Sequence, residues 1–215
     1  MKRFFITIVC CALIFPVKAQ ISMRDVWLSM PDSILPYLNK NQRLEHLDFL
    51  DMHVTSEVKN LLGGEGRMDT LTADYTMVHL TAASTLQMKL LTQSDSTQLI
   101  CFVKTFHAPE PESSVLFYDQ NWKLVSASYG LPLSLSSEEV LKHFTFQPEG
   151  MDSERYEELC KMIEPVMLSA RLSPESSDIV FQLSTPTFTQ KEKEEVKAIV
   201  KQIKFKWNGE TFKEL

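Results

Sequence analysis

The chain contains the run Leu99-Ile100-Cys101-Phe102-Val103, which is apolar at every position. A strand with one face in water alternates apolar and polar residues, so this unbroken run predicts a central strand, over residues 97–106, that is buried on both faces. Four neighbouring segments are short, rich in β-branched and aromatic residues, and separated by turn residues: 70–80, 84–92, 114–118 and 122–127. Together these segments predict an antiparallel sheet built as a meander.

Helix signals lie on both sides of this predicted sheet. Apolar residues recur at threes and fours over residues 42–62, and Gly63-Gly64 follows, which predicts one helix that ends at the glycines. Beyond the sheet, Ser136 and Thr189 each open a capping-box pattern ahead of an apolar helical repeat. The combination predicts an α+β fold in which helices pack on an antiparallel sheet.

The order of helices followed by strands occurs twice along the chain. It suggests two tandem units, residues 20–130 and 131–215, each with a helix pair and about four strands. The alternative is one α+β domain over residues 20–215, because the two halves share little sequence similarity. Both interpretations stay open at the level of the sequence.

Residues 1–19 predict a cleavable secretory signal peptide. Lys2 and Arg3 precede an apolar run over residues 4–17, and Ala19 ends a small-residue cleavage site. A helix of this run would span roughly 21 Å, short of the roughly 30 Å hydrocarbon core of a membrane. We therefore expect an exported protein, located in the periplasm, on the outer-membrane surface or outside the cell, with no transmembrane segment after cleavage.

The charge balance is acidic. The chain has 22 Lys and Arg against 28 Asp and Glu, a formal charge of −6, and the predicted leader carries Lys2, Arg3 and Lys18 but no acid. The exported protein is therefore more acidic than the whole chain. An acidic surface repels phosphate backbones, and the sequence has no basic cluster with interleaved aromatic residues, so we expect no nucleic-acid partner.

Two cysteines follow the leader, Cys101 and Cys160. Cys101 lies in the predicted central strand and Cys160 in a helical pattern, so two buried thiols are the simpler interpretation. An oxidising compartment would also permit one disulfide between them.

Asp51 is the main polar anomaly of the predicted helix. On a continuous helix over 42–62 it would share a face with Leu47 and Val54 and point toward the core. A buried carboxylate needs a partner or takes up a proton. The candidate polar cluster consists of Arg43, His46, Asp48 and Asp51, with His53 as a further candidate partner.

This polar cluster has two interpretations. The structural one is a buried ion pair or hydrogen bond that fixes the helix against the sheet, or else a helix that breaks near Met52. The functional one is a metal or acid–base site built from His46, Asp48, Asp51 and His53. His46 and Asp48 are two residues apart and diverge on a helix, unlike ligand pairs spaced by four. The structural interpretation is favoured, so we predict no catalytic, cofactor-binding or metal-binding residue and no cofactor.

Three aromatic residues at predicted hairpin ends form a candidate aromatic surface: Tyr118, Trp122 and Trp207. Large aromatic side chains belong more often to a core than to a binding surface. Their position beside hairpin turns, which include the strong turn signal Asn208-Gly209, keeps the alternative of an exposed aromatic groove open.

Several short motifs occur together in the first part of the chain. They are Met30-Pro31-Asp32-Ser33 with Leu35-Pro36, Arg43 followed by Asp48 and Asp51, Gly63-Gly64, Asp74-Tyr75, Lys89-Leu90-Leu91, and Phe117-Tyr118 with Trp122. Together they resemble an exported Bacteroidales family catalogued as domain of unknown function 3256. The resemblance implies export and kinship but no activity. The alternating layout of helix pairs and strands is also similar to that of β-lactamase-inhibitor-like modules, which bind proteins.

We therefore predict a non-catalytic binding or assembly module of the cell envelope or its exterior, with an envelope or extracellular protein as its partner. The glycine-rich stretch Gly63-Gly64-Glu65-Gly66 is not followed by the Lys-Ser/Thr of a phosphate-binding loop, and hydrolase and metalloprotease motifs do not occur. The alternative hypothesis is an envelope hydrolase or metal-dependent enzyme that uses the neighbourhood of Asp51.

Overall fold

The structure is a computed structural model that describes residues 20–185 and 189–215. The predicted signal peptide, residues 1–19, lies outside the described residues. Within those residues, no helix combines the length and the apolar character needed to cross a membrane. The described part of the chain forms five helices and eleven strands.

Two helices precede the strands of the large sheet, two precede those of the small sheet, and the fifth lies between the second and third strands of the small sheet. The helices are α1 (Met23–Ser29), α2 (Lys40–Asp51), α3 (Ser137–Phe144), α4 (Ser153–Met162) and α5 (Gln190–Ile199). The strands of the large sheet are β1 (Glu57–Lys59), β2 (Glu65–Leu71), β3 (Tyr75–Thr81), β4 (Ser84–Thr92), β5 (Gln98–Phe106), β6 (Glu112–Tyr118) and β7 (Leu124–Val125). The strands of the small sheet are β8 (Met167–Leu172), β9 (Asp178–Ser184), β10 (Gln202–Trp207) and β11 (Phe212–Glu214).

Both sheets are antiparallel meanders. The large sheet has the order β1 to β7, so every strand pairs with its neighbour in sequence, and the small sheet has the order β11-β10-β9-β8. Helices packed on antiparallel sheets confirm the predicted α+β class.

β5 is the doubly buried strand that its composition predicts. Leu99, Cys101 and Val103 point to one face of the large sheet and join one hydrophobic cluster. Ile100 and Phe102 point to the other face and join a second cluster. Each face of the large sheet is therefore covered, and apolar residues are stable at every position of the strand.

The two faces of the large sheet have different covers. α1, α2 and the segment between them cover one face, where Trp27 and Leu47 lie in one cluster with Met88 of β4. The small sheet and α3 to α5 cover the other face, where Phe144 and Phe181 belong to the cluster that contains the inner residues of β5. The large sheet is the middle layer of the molecule.

The small sheet meets the large sheet through the edge of β8. An edge strand leaves alternate N–H groups without a strand partner, and buried N–H groups must be satisfied in another way. The Ala170 N–H donates to Ser113 Oγ at 2.8 Å, and the Leu172 N–H donates to Gln87 Oε1 at 3.0 Å. Side chains of the large sheet therefore take the place of a neighbouring strand.

The single helix predicted over residues 42–62 is wrong. α2 ends at Asp51, and His53 has a positive φ of 57°, which turns the chain out of the helix. The alternative of a helix that breaks near Met52 is confirmed, since Met52 is the C-cap residue. Val54 and Leu61 are 52% and 61% exposed, so the apolar repeat does not mark a buried face beyond α2. The backbone groups of β1 instead pair with β2.

The finer prediction of tandem units with four strands each is not confirmed, because the large sheet has seven strands. Residues of both predicted units also share one hydrophobic cluster, for example Leu99 and Phe117 of the first with Phe144 and Trp207 of the second. The boundary at residues 130 and 131 stays a prediction.

Candidate functional site

Arg43 is fully buried on α2 and organises the segment that joins α1 to α2. Its guanidinium group contacts the carbonyl oxygens of Trp27 (3.1 Å), Leu38 (2.7 Å) and Met30 and the carboxylate of Asp32 (3.0 Å). Its donors are therefore directed at fixed groups of the chain. This is the structural role that the sequence favours, with Asp32 as the acid instead of Asp51.

His46 is also fully buried, and its hydrogen bonds define its protonation. Ser56 Oγ donates to the His46 carbonyl oxygen at 3.0 Å, which leaves the hydroxyl oxygen to accept the Nδ1 proton at 2.7 Å. Nδ1 is therefore protonated, and Nε2 has no hydrogen-bond partner among the described residues. Burial lowers the pKa of His46 to about 4, because a charged ring would be desolvated.

Asp48 and Asp51 lie on the opposite, exposed side of α2, so the expectation that Asp51 points to the core is wrong. The core-facing stripe of the helix runs through Leu47 and Leu50, which turns Asp51 outward. Its carboxylate is 58% exposed and pairs with Arg24 of α1. This ion pair lowers the pKa of Asp51, chiefly through the hydrogen bond from Arg24.

The predicted polar cluster thus separates into two buried and two exposed side chains. Within residues 20–185 and 189–215, no group of three or more His, Cys, Asp or Glu side chains is placed to hold a metal ion. The alternative hypothesis of chemistry at Asp51 required its neighbours to converge, and they do not.

The candidate aromatic surface is wrong, because Tyr118, Trp122 and Trp207 are only 9%, 8% and 7% exposed. Trp122 Nε1 donates to Ser29 Oγ at 3.2 Å, and Trp207 Nε1 donates to the Thr92 carbonyl oxygen at 2.8 Å. The hairpins fold against the rest of the molecule, so these aromatic residues belong to the core, and the indole N–H groups of both tryptophans have hydrogen-bond acceptors.

Cys101 and Cys160 are free thiols. Cys101 is completely buried in β5, and burial raises its pKa strongly, so the group stays a neutral thiol. Cys160 is half-buried on α4. The two thiols are separate, as the simpler interpretation predicts, but only Cys101 is buried.

Three of the four sheet edges are protected against pairing with another strand. β1 and β11 have three residues each and carry charged side chains. The edge of β8 lies against the large sheet, where Ser113 and Gln87 occupy its N–H groups.

The fourth edge, that of β6, is open. β7 has two residues and pairs only with Phe117 and Tyr118, so residues 112–116 have no strand on their outer side among the described residues. Beyond Glu112 this stretch is Ser-Ser-Val-Leu, without charge or proline. An uncharged edge with free backbone groups is a template for strand addition.

A groove of about 390 Å³ runs along this open edge. All five residues of 112–116 line it, whereas a groove over one sheet face would be lined by alternate residues. The opposite wall is the segment before α3, where Leu133 and Leu135 are each 38% exposed. The apolar floor consists of Val140, Val166, Leu168 and Phe181. We call this feature the β6 groove.

The sequence did not predict the β6 groove. A strand over the predicted residues 122–127 would have covered more of β6 than Leu124–Val125 does. The wall and the floor come from the second half of the chain, far from β6 in sequence. The only local signal is the uncharged stretch after Glu112.

Comparison with known proteins gives a family and a fold. A family model described as "Protein of unknown function (DUF3256)" matches residues 14–212. A domain of an uncharacterized protein from Porphyromonas gingivalis W83 has a similar structure, with a TM-score of 0.72 at 20% identity over 90% of this chain and 97% of that chain. At this identity the likeness shows the fold alone. No curated protein is significantly similar to this chain.

Proposed function

The chain belongs to the DUF3256 family, as its motifs suggested, and because that family is described only as of unknown function, we propose a role from the surface of the molecule itself. We propose that the protein is a non-catalytic binding module that captures an extended segment of a partner protein in the β6 groove. The predicted signal peptide supports placing this role in the cell envelope or outside the cell.

The observation that carries this proposal is the open edge of residues 112–116. Peptide segments that add to a sheet edge gain affinity from main-chain hydrogen bonds and specificity from pockets for alternate side chains. The β6 groove offers both, because backbone groups form one wall and apolar side chains form the floor.

The chemistry of the groove defines the partner segment. Extended chains present side chains alternately to two sides, so every second residue would contact the floor formed by Val140, Val166 and Phe181. Those contacts favour apolar residues. Glu112, at one end of the groove, disfavours an acidic residue beside it.

One feature favours a single extended segment over the flat edge of a second copy. The segment before α3 stands opposite β6, so the edge faces a groove instead of open solvent.

The proposal is tested with a peptide selected from a random display library on the mature protein. We expect an apolar peptide that slows amide hydrogen exchange at residues 113–116 when bound, because its backbone pairs with β6. Leu133→Glu should weaken the binding of the peptide by at least about tenfold, since it places a carboxylate in the apolar wall of the groove. Leu62→Glu, at an exposed apolar position near β1 that lies outside the β6 groove, should leave binding unchanged.

Two outcomes would contradict the proposal. In one, selected peptides bind but leave exchange at β6 unchanged or bind Leu133→Glu equally well. In the other, the protein self-associates in sedimentation and Leu133→Glu abolishes that association, which would make a second copy the occupant of the groove.

A further inference from the structure

A second depression, separate from the β6 groove, lies where the outer face of the small sheet meets the large sheet. It has a volume of about 410 Å³, and we call it the inter-sheet cleft. Its lining is rich in hydrogen-bonding groups and includes two histidines, His79 and His107, that lie 28 residues apart in sequence on the large sheet. The small sheet contributes Arg171, Gln182 and Gln202.

The floor of the inter-sheet cleft is a polar row across the large sheet. His79, Thr85 and Thr105 are register partners on β3, β4 and β5, so their side chains point to the same face. His107 Nε2 lies 3.1 Å from Thr85 Oγ1, which extends the row beyond the end of β5. A row of polar side chains provides directional contacts for a polar ligand.

Arg171 is the one permanent charge among the described residues that line the cleft. Its guanidinium group has no ion pair or hydrogen bond with the described part of the chain, although the protein is acidic overall. The neighbouring acids are engaged elsewhere. Asp178 pairs with Lys204 at 2.7 Å, and Asp69 pairs with Arg67 and His79 at 2.7 Å and 2.8 Å.

We propose that the inter-sheet cleft binds a small hydroxylated carboxylate, such as a sugar acid, with Arg171 paired to the carboxylate. A planar guanidinium group matches a carboxylate through two parallel hydrogen bonds, and one unpaired cation matches one negative charge. The side-chain amides of Gln182 and Gln202, which lie 2.6 Å apart, supply donors and acceptors for hydroxyl groups. His107 adds a further group at the floor.

This site is independent of the proposed capture of a protein segment. The inter-sheet cleft and the β6 groove share no lining residue. Failure of one proposal therefore leaves the other in place.

The test is an NMR titration of the mature protein with glucuronate, with glucose and glucose 6-phosphate as separate arms. We expect glucuronate to shift the resonances of Gln182, Gln202 and His107. Arg171→Gln should weaken the binding of glucuronate by at least about tenfold, because the substitution removes the charged hydrogen bonds to the carboxylate. Lys206→Gln removes the same charge from the same face of the small sheet, outside the cleft, and should leave binding unchanged.

The other arms decide the class of ligand. Equal binding of glucose would show that the carboxylate is not recognised, and equal or tighter binding of glucose 6-phosphate would make the site one for phosphate esters. No shift with glucuronate at millimolar concentration, or equal loss in both variants, would overturn the proposal.

Discussion

Arg43 and His46 lie three residues apart on the buried face of α2. Burial disfavours a charged side chain, and the two residues respond to it in opposite ways. Arg43 keeps its charge and directs its donors at three carbonyl oxygens and the carboxylate of Asp32. His46 gives up its charge and keeps one hydrogen bond, to Ser56. Both residues fix the chain that covers one face of the large sheet.

The neutral state of His46 makes stability depend on pH. Its folded pKa of about 4 lies below the ordinary value of 6.5, so the unfolded chain binds more protons between these values. The contribution of the neutral His46 ring to the free energy of unfolding is fully present above about pH 6.5 and is lost as the pH falls toward 4. Between about pH 7.5 and pH 5 the loss amounts to about 2 kcal/mol.

We predict that His46→Asn reduces this dependence. Asn has an N–H that can donate to Ser56 as Nδ1 does, and it does not titrate. Urea unfolding at both pH values should show the wild type losing about 2 kcal/mol more than the variant. Parallel losses in the two proteins would show that the ring is not held neutral in the folded state.

At the scale of elements, the edge of β8 depends on single side chains. Ser113 and Ser114 are neighbours on β6, but only Ser113 accepts the Ala170 N–H, and Ser114 is exposed. Ser113→Ala should therefore destabilise the protein by about 1–3 kcal/mol, the cost of an unsatisfied buried N–H group. Ser114→Ala makes the same chemical change and should have almost no effect.

Two measurements check this pair of variants. Urea unfolding gives the free energies, and hydrogen exchange at the Ala170 amide should accelerate only in Ser113→Ala. Equal stability of the two variants would mean that the edge of β8 does not depend on the side-chain contact.

The elements differ in how far their own sequence determines them. β5 was predictable because burial on both faces produces a signal in the local sequence, namely five apolar residues in a row. The end of α2 was not, because Val54 and Leu61 continue its apolar repeat although both are exposed. Pairing of β1 with β2 determines that boundary, and strand pairing is a non-local contact.

The candidate sites were less predictable than the fold for the same reason. Asp51 stood out in the sequence only on the assumption of a longer helix. The β6 groove depends on the short length of β7 and on the segment that contains Leu133. Arg171 and His107 meet in one cleft only because β8 lies across the large sheet.

At the scale of the whole molecule, polar contacts join the two predicted units in addition to the shared hydrophobic cluster. Lys89 of β4, almost fully buried, donates to the Pro174 carbonyl oxygen at 3.0 Å. Trp207 of β10 donates to the Thr92 carbonyl oxygen at 2.8 Å. Separating the units would break both of these hydrogen bonds.

We therefore predict that residues 20–215 unfold in one cooperative transition. Trp27 reports on the first predicted unit and Trp207 on the second, so two single-tryptophan variants, with Phe at the other two positions, follow the units separately. Their fluorescence midpoints in urea should coincide. Two separated midpoints would instead support tandem units that fold independently.

The open edge of β6 also has a consequence for handling the protein. A strand side that no neighbour occupies accepts any extended chain, including one from a partly unfolded copy of the same protein. The residues that would bind a partner therefore also promote aggregation, which limits the concentration at which the protein stays in solution. Ser114→Lys would therefore increase solubility and at the same time weaken binding of an extended segment to β6. Binding of a partner and resistance to aggregation place opposing requirements on this short stretch of backbone.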